Sequence, residues 1–273
     1  MKTIFFIVQV LFLLNLNASY AQLPIASNGK YMEVNKAKLY YEEYGQGEPL
    51  FLLHGFLGSA EDWKGFVQEY SKTYKVIVWD MRGHGRSTNP DTSIVFKHEQ
   101  AAQDLIGLMD KLEIDKAKAI GHSSGGMTIL YAATIAPDRF DAIIPVAAQI
   151  YYSRQVREFI KSKTWEQYFP QVELDRRHGR QKGDLLKRQF YNFWQLYGDP
   201  SFTPDELAKI KARTLIVHGD IDFVPVSQAW EMFQSIPKAH IWISPNTGHV
   251  PFSPGNEADF IRRTLEFLKG EGW

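Results

Sequence analysis

Apolar positions along this chain follow two alternating rhythms. Short stretches rich in β-branched and aromatic residues, at positions 39–44, 50–53, 75–79, 118–121, 142–146, 214–218 and 240–243, predict strands. Several are apolar throughout, as strands covered on both faces of a parallel sheet must be. Between them, positions 59–70, 94–112, 124–136, 226–236 and 256–268 repeat apolar residues at the spacing of one helix face and predict amphipathic helices that connect strand to strand. The expected fold class is therefore α/β, with a mostly parallel central sheet flanked by helices. Positions 31–44, followed by Gly45 and Gly47, read as a hairpin at the sheet's edge. No internal repeat or low-complexity linker interrupts this order.

Two segments depart from it. From 151 to 204 no strand is expected, yet 12 of 54 residues are aromatic, including Trp165, Tyr168, Phe169, Phe190, Tyr191, Phe193, Trp194 and Tyr197. A run of that length needs structure of its own, and its rings need cover. It reads as an inserted helical lid over the sheet, most rings attaching it to the body and a few left to line a pocket. The chain thus divides into a body of residues 22–150 and 205–273 and a lid of residues 151–204. At the N-terminus, Lys2 precedes an apolar run from Ile4 to Leu14, and a polar stretch ends at Ser19, Tyr20 and Ala21. The run is shorter than the ~20 residues a bilayer span requires, and small side chains at Ser19 and Ala21 suit a signal peptidase. Residues 1–21 are expected to be a signal peptide cleaved after Ala21, leaving an exported protein, periplasmic or secreted, without a stable membrane span.

Composition narrows the chemistry. With 31 Lys and Arg against 31 Asp and Glu, and the basic residues spread among the acids, there is no field to draw nucleic acid or an anionic membrane. At 273 residues and 44% hydrophobic content the chain buries an ample core without crosslinks. The absence of cysteine excludes a thiolate nucleophile, cysteine-ligated zinc and iron–sulfur clusters. No H-E-x-x-H or comparable spacing offers metal ligands. What remains is one globular unit whose partner is a small molecule.

The chemistry starts at Gly121-His122-Ser123-Ser124-Gly125, directly after a predicted strand and directly before a predicted helix. That is the setting of a nucleophile elbow. A serine on such a turn takes a strained backbone conformation, and flanking glycines let chain segments approach without side-chain clash. Ser123 then projects above the sheet, and Ser124 opens the helix, where unpaired amides favour negative charge. The competing reading, a glycine-rich turn with a capping serine, is disfavoured by the strand–turn–helix setting.

A serine hydroxyl needs a base, and the base needs a carboxylate to orient it. His249, on the loop between the last strand and the last helix, is the candidate base. The other histidines lack that context: His54, His122 and His218 end strands, His84 sits in a glycine turn, and His98, His178 and His240 have no partner motif. Two acids follow the penultimate strand. Asp220 is placed to turn the loop through its own backbone, whereas Asp222 lies farther along, able to reach across the strand ends. After an early strand, Gly55-Phe56-Leu57-Gly58 offers the Phe56 N–H as an oxyanion donor beside that of Ser124. Read alone, it is a strand-to-helix turn capped by Ser59.

In chain order, the His54-Gly55 turn, Asp80-Met81-Arg82-Gly83-His84-Gly85-Arg86-Ser87, the Ser123 elbow, Gly219-Asp220-Ile221-Asp222 and Gly248-His249 resemble the α/β-hydrolase fold family, over a span from about Tyr31 to Leu268. The resemblance implies that Asp222 is the acid and His249 the base, and that the 80–87 loop is architectural. Gly83-His84-Gly85 lacks the third glycine and following helix of a dinucleotide fingerprint. The implied enzyme is a serine hydrolase with catalytic Ser123, Asp222 and His249 and oxyanion donors Phe56 and Ser124, needing neither cofactor nor metal. Its expected substrate is a small or medium ester with an apolar portion. Carbon–carbon bond, lactone or peracid chemistry on the same triad is the alternative, as is a receptor that keeps the fold and holds a ligand with little turnover. Serine at the nucleophile position argues against dehalogenases and epoxide hydrolases, which usually carry aspartate there.

Overall fold

The computed structural model describes residues 29–162, 164–195 and 200–271. The expected signal peptide and Tyr197 lie outside the described residues. The strands are β1 (Lys30–Val34), β2 (Ala37–Tyr44), β3 (Pro49–Leu53), β4 (Lys75–Trp79), β5 (Ala117–His122), β6 (Phe140–Val146), β7 (Arg213–Gly219) and β8 (Ala239–Ser244). The helices are α1 (Lys64–Tyr70), α2 (His98–Lys111), α3 (Ser124–Ile135), α4 (Arg154–Lys161), α5 (Trp165–Tyr168), α6 (Gln171–His178), α7 (Arg180–Gln195), α8 (Pro204–Leu207), α9 (Val226–Ser235) and α10 (Glu257–Lys269). All eight strands join one sheet in the order β1-β2-β4-β3-β5-β6-β7-β8. β1 and β2 form the antiparallel edge hairpin, turning at Asn35 and Lys36, which both take positive φ. β2 runs antiparallel to β4, and every pairing beyond is parallel.

Side-chain alternation explains the layers. In β3, Leu50 and Leu52 point to one face and Phe51 and Leu53 to the other; β4 divides likewise into Val76 and Val78 against Ile77 and Trp79. The first face packs on Tyr70 of α1 and Phe260 and Phe267 of α10, the second on Leu105, Leu108, Ile129, Leu130 and Met232 of α2, α3 and α9. A strand with both faces covered has little place for a polar side chain, hence the largely apolar runs, with Thr214 and His218 of β7 as buried polar exceptions.

Each predicted strand is present, lengthened by at most two residues at an end. Two helices differ from expectation. The segment 59–70 opens as a 3-10 turn, Ala60–Trp63, capped by Ser59, before α1 begins. The segment 94–112 becomes helical only at His98. Upstream of it, the Asp91 carboxylate accepts from Ser93 N–H (2.8 Å) and the Ser93 hydroxyl from Val95 N–H (3.1 Å), and such side-chain turns compete with helical pairing.

The segment between β6 and β7 carries α4 to α7. Tyr151 and Ser201 pair in an antiparallel bridge, and Phe202 N–H donates to Ile150 O at 3.0 Å, so this insertion leaves and rejoins the body at one neck. Among the described residues no helix is long and apolar enough to cross a membrane. Because β4 and β5 flank β3, the sheet order reverses there, and Leu53 registers with Gly121. The turns leaving β3 and β5 consequently lie side by side at the strands' carboxyl ends, where α/β sheets bind ligands.

Candidate active site

β5 ends at His122 and α3 begins at Ser124, so the chain reverses within one residue, Ser123, at φ 51° and ψ −115°. A non-glycine residue in that region is strained by roughly 1–3 kcal/mol and persists only where neighbours over-determine it. Here Ser123 N–H donates to Val146 O at 2.8 Å, and Ser123 O accepts from Met127 N–H at 2.9 Å. A Cβ on Gly121 would lie 2.3 Å from Gly125 O, and one on Gly125 would lie 2.4 Å from Leu53 O. Both glycines are required because α3 starts too close to β3 and β5 to admit a side chain.

His249 Nε2 lies 2.9 Å from Ser123 Oγ, and His249 Nδ1 lies 3.0 Å from each Asp222 carboxylate oxygen. With Asp222 ionised, Nδ1 carries the proton and Nε2 accepts from the serine hydroxyl. The Asp222 side chain is fully buried and that of His249 is 22% exposed, so the pair joins a dry acid to a reachable imidazole. Burial pushes the Asp222 carboxyl up, but the charge and hydrogen bond of His249, with His218 and the Val224 N–H (3.0 Å), outweigh it and hold the carboxyl below its ordinary value. Asp220 has different work. Its N–H donates to Ser244 O at 3.1 Å and its carboxylate accepts from Thr247 N–H at 3.1 Å, tying its loop to the one that carries His249.

The turn after β3 lies against the elbow, since a Cβ on Gly55 would stand 3.5 Å from Ser123 Cβ. Phe56 is the next residue of that turn, and Ser124 opens α3 directly after the serine. His54 fixes the turn, donating from Nδ1 to Gly55 O (2.7 Å) and accepting Met81 N–H at Nε2 (3.0 Å). The Ser124 hydroxyl is 2.9 Å from His98 Nε2. Asp80 is wholly buried and accepts from Ala60 N–H (2.7 Å), Arg86 N–H (2.8 Å) and Arg86 Nε (2.9 Å). Its oxygens are spent joining loops.

Other side chains reach the site without having been singled out by motif. His122 donates from Nε2 to His249 O at 2.8 Å; burial and then the proximity of His249 pull it down to about 4, so the ring is neutral. His218 donates from Nε2 to Val224 O at 3.0 Å, with that nitrogen 3.6 Å from Asp222 Oδ2. Phe223 lies 4.4 Å from the His249 ring, centroid to centroid, and Phe159 of α4 stacks on Phe223 at 4.7 Å and 8°. Phe190 of α7 lies 5.9 Å from Phe56. The insertion therefore touches the site at two places, the turn after β3 and the ring beside His249. The available signal was adjacency, because His122 precedes Ser123 and Phe223 follows Asp222. Among the described residues no three His, Asp or Glu side chains group as metal ligands.

This architecture and the strand–turn–helix serine define an α/β hydrolase type of molecule, and comparison with known proteins agrees. The sequence profile of the alpha/beta hydrolase fold matches residues 48–159. The chain is similar to 2-hydroxy-6-oxo-6-(2'-aminophenyl)hexa-2,4-dienoic acid hydrolase of Metapseudomonas resinovorans, 24% identical over 253 residues that span 84% of this chain and 86% of that protein. It is 34% identical to esterase YbfF of Escherichia coli K12 over 98 residues, 36% of this chain and 37% of that one. The solved structure of carboxylesterase CesB from Bacillus subtilis matches with a TM-score of 0.72 at 20% identity, covering 91% of this chain and 93% of that one, a likeness of fold. The chain carries the alpha/beta hydrolase fold, and it is a hydrolase.

Proposed function

We propose that the protein hydrolyses a small or medium ester by acyl transfer through Ser123. His249 takes the serine proton, Oγ attacks the carbonyl carbon, and the Phe56 and Ser124 N–H groups hold the resulting oxyanion. His249 then returns the proton to the leaving alcohol, and water activated by the same imidazole releases the acid from acyl-Ser123. Asp222 fixes the tautomer and stabilises the imidazolium without being protonated. The observation that carries this reading is the continuous hydrogen-bonded line from Ser123 Oγ through His249 to a buried Asp222. Phe56, Phe159, Phe190 and Phe223 around that line favour an apolar acyl or alkyl portion, with the insertion as lid. Similarity to an esterase supports the ester. A second reading, carbon–carbon bond hydrolysis on the same groups, is favoured by the dienoic acid hydrolase that matches most of the chain.

The test is a series of p-nitrophenyl esters of increasing acyl length, assayed with residues 22–273 and with Ser123→Ala. The variant should lose at least ~10⁴-fold in kcat, as removal of a triad nucleophile does. Activity that survived the substitution would refute the nucleophile. A folded wild type inert to every ester but active on a 2-hydroxy-6-oxohexa-2,4-dienoate would favour the second reading. We also propose that the protein is exported, a reading supported by Lys2 and the apolar run after it; a mature N-terminus at Gln22 is the expected result of sequencing the processed protein.

A further inference from the structure

The insertion is fastened to the body next to the turn that carries Phe56 by the Arg176–Glu61 and Arg177–Asp62 ion pairs and by one imidazole that bonds the turn itself. His178, the last residue of α6, is buried and bonded at both ring nitrogens to backbone groups of two different body loops. Its Nδ1 accepts Gly85 N–H at 2.8 Å, and its Nε2 donates to Leu57 O at 3.0 Å. This pattern requires the neutral ring, which burial supplies by pulling His178 down to about 4. Both receiving loops are locally strained or crowded. Leu57 sits at φ 64°, and Gly85, at φ 48°, has no room for a side chain because a Cβ would lie 2.3 Å from Asp80 Oδ2. The Leu57 side chain is held by the insertion as well, in a buried cluster with Phe169, Leu174 and Leu186. Lys182 of α7 adds bonds to Gly85 O and, at 3.2 Å, to Ser87 O.

We propose that His178 is a positioning residue through which the insertion completes the oxyanion turn, so that the Phe56 amide is correctly aimed only while α6 is docked. The inference rests on the reading of Phe56 as an oxyanion donor. Within the body, His54 holds Gly55 O at 2.7 Å and the Gly58 N–H closes the turn onto the same oxygen at 3.0 Å, leaving the Leu57 carbonyl and side chain to the insertion. Leu57, the residue after Phe56, is secured by the insertion. A donor a fraction of an ångström out of place weakens transition-state stabilisation while leaving ground-state binding nearly intact.

Two variants separate the ring's hydrogen bonds from its bulk. His178→Phe keeps a ring of similar size and removes both bonds, while His178→Gln keeps one donor and one acceptor. In ester hydrolysis, His178→Phe should lower kcat about 10- to 30-fold with KM changed by less than about twofold, and His178→Gln should stay within about threefold of wild type. Backbone hydrogen exchange over residues 54–60 provides a readout independent of turnover, expected to quicken in His178→Phe and to stay near wild type in His178→Gln. Unchanged kcat and exchange in His178→Phe, an effect confined to KM, or equal losses in both variants would each overturn the proposal. If Ser123→Ala keeps the activity, or wild type hydrolyses no ester, the functional reading fails separately, and the exchange comparison still decides whether His178 holds the turn.

Discussion

Asp220 and Asp222 stand two residues apart, and their chemistry differs because of what each accepts. Asp222 accepts the hydrogen bond of His249 Nδ1–H, whereas Asp220 accepts that of a backbone amide, Thr247 N–H. Asn at 222 would present an amide N–H to Nδ1 and select the imidazole tautomer whose Nε2 is already protonated and cannot accept from Ser123. Asp222→Asn should therefore lower kcat about 10³- to 10⁴-fold with the fold retained by circular dichroism, and Asp220→Asn should cost less than about tenfold. A comparable loss in both would mean that loop placement, not the imidazole tautomer, sets the rate. At this scale the sequence was most legible where a steric requirement leaves a mark. Gly121 and Gly125 are compelled by backbone contacts at 2.3 and 2.4 Å, so the elbow shows as a pattern. His122 and Phe223 were marked only by adjacency to Ser123 and Asp222, because a ring that packs on His249 satisfies no local rule.

Elements were legible for a related reason. A strand buried on both faces is mostly apolar, and β3 to β7 announce themselves so, with boundaries shifted where end residues such as Ala117 and His122 still pair in the sheet. The missed helix start at 94 reflects competition: apolar spacing at Ile94 suggested a helix, while Asp91 and Ser93 captured the amides first. The aromatic excess of 151–204 indicated helices and a need for cover, but which rings face the site depends on how α4 and α7 lie across the body. Phe159 is the ring that this packing puts against Phe223 and so beside His249. If α4 walls the acyl side of the site, Phe159→Ala should lower kcat/KM for the longest p-nitrophenyl ester accepted by about 5- to 30-fold, the worth of one aromatic contact of 1–2 kcal/mol, and change the acetate by less than about threefold. A uniform loss across the series would show the ring to support His249 instead of the acyl chain.

At the scale of the molecule, four histidines gather at the carboxyl ends of the strands and are held neutral. His54, His84, His122 and His178 are each pulled down chiefly by burial, the last two to about 4. His84 lies 5.2 Å from the His54 ring and 5.8 Å from that of His178, so one added charge would be felt by its neighbours. An unfolded histidine titrates near 6.5. Between that pH and about 4 the unfolded chain binds protons that the native chain refuses. Stability is thus complete above about pH 6.5 and declines as pH falls, by up to about 1.4 kcal/mol per pH unit for each such histidine. Asp222 acts in the same direction but lower, because its depressed carboxyl contributes stability that is lost only as pH falls below the ordinary carboxylate range. The urea midpoint should consequently drop steeply from pH 7 to pH 5, before the carboxylates enter. His178→Gln, which keeps hydrogen-bonding groups but cannot titrate, should flatten that slope by about one histidine's share. A midpoint independent of pH over this interval would mean that the rings exchange protons freely in the native state, and the neutral imidazole linking α6 to the turn at Leu57 would go with it.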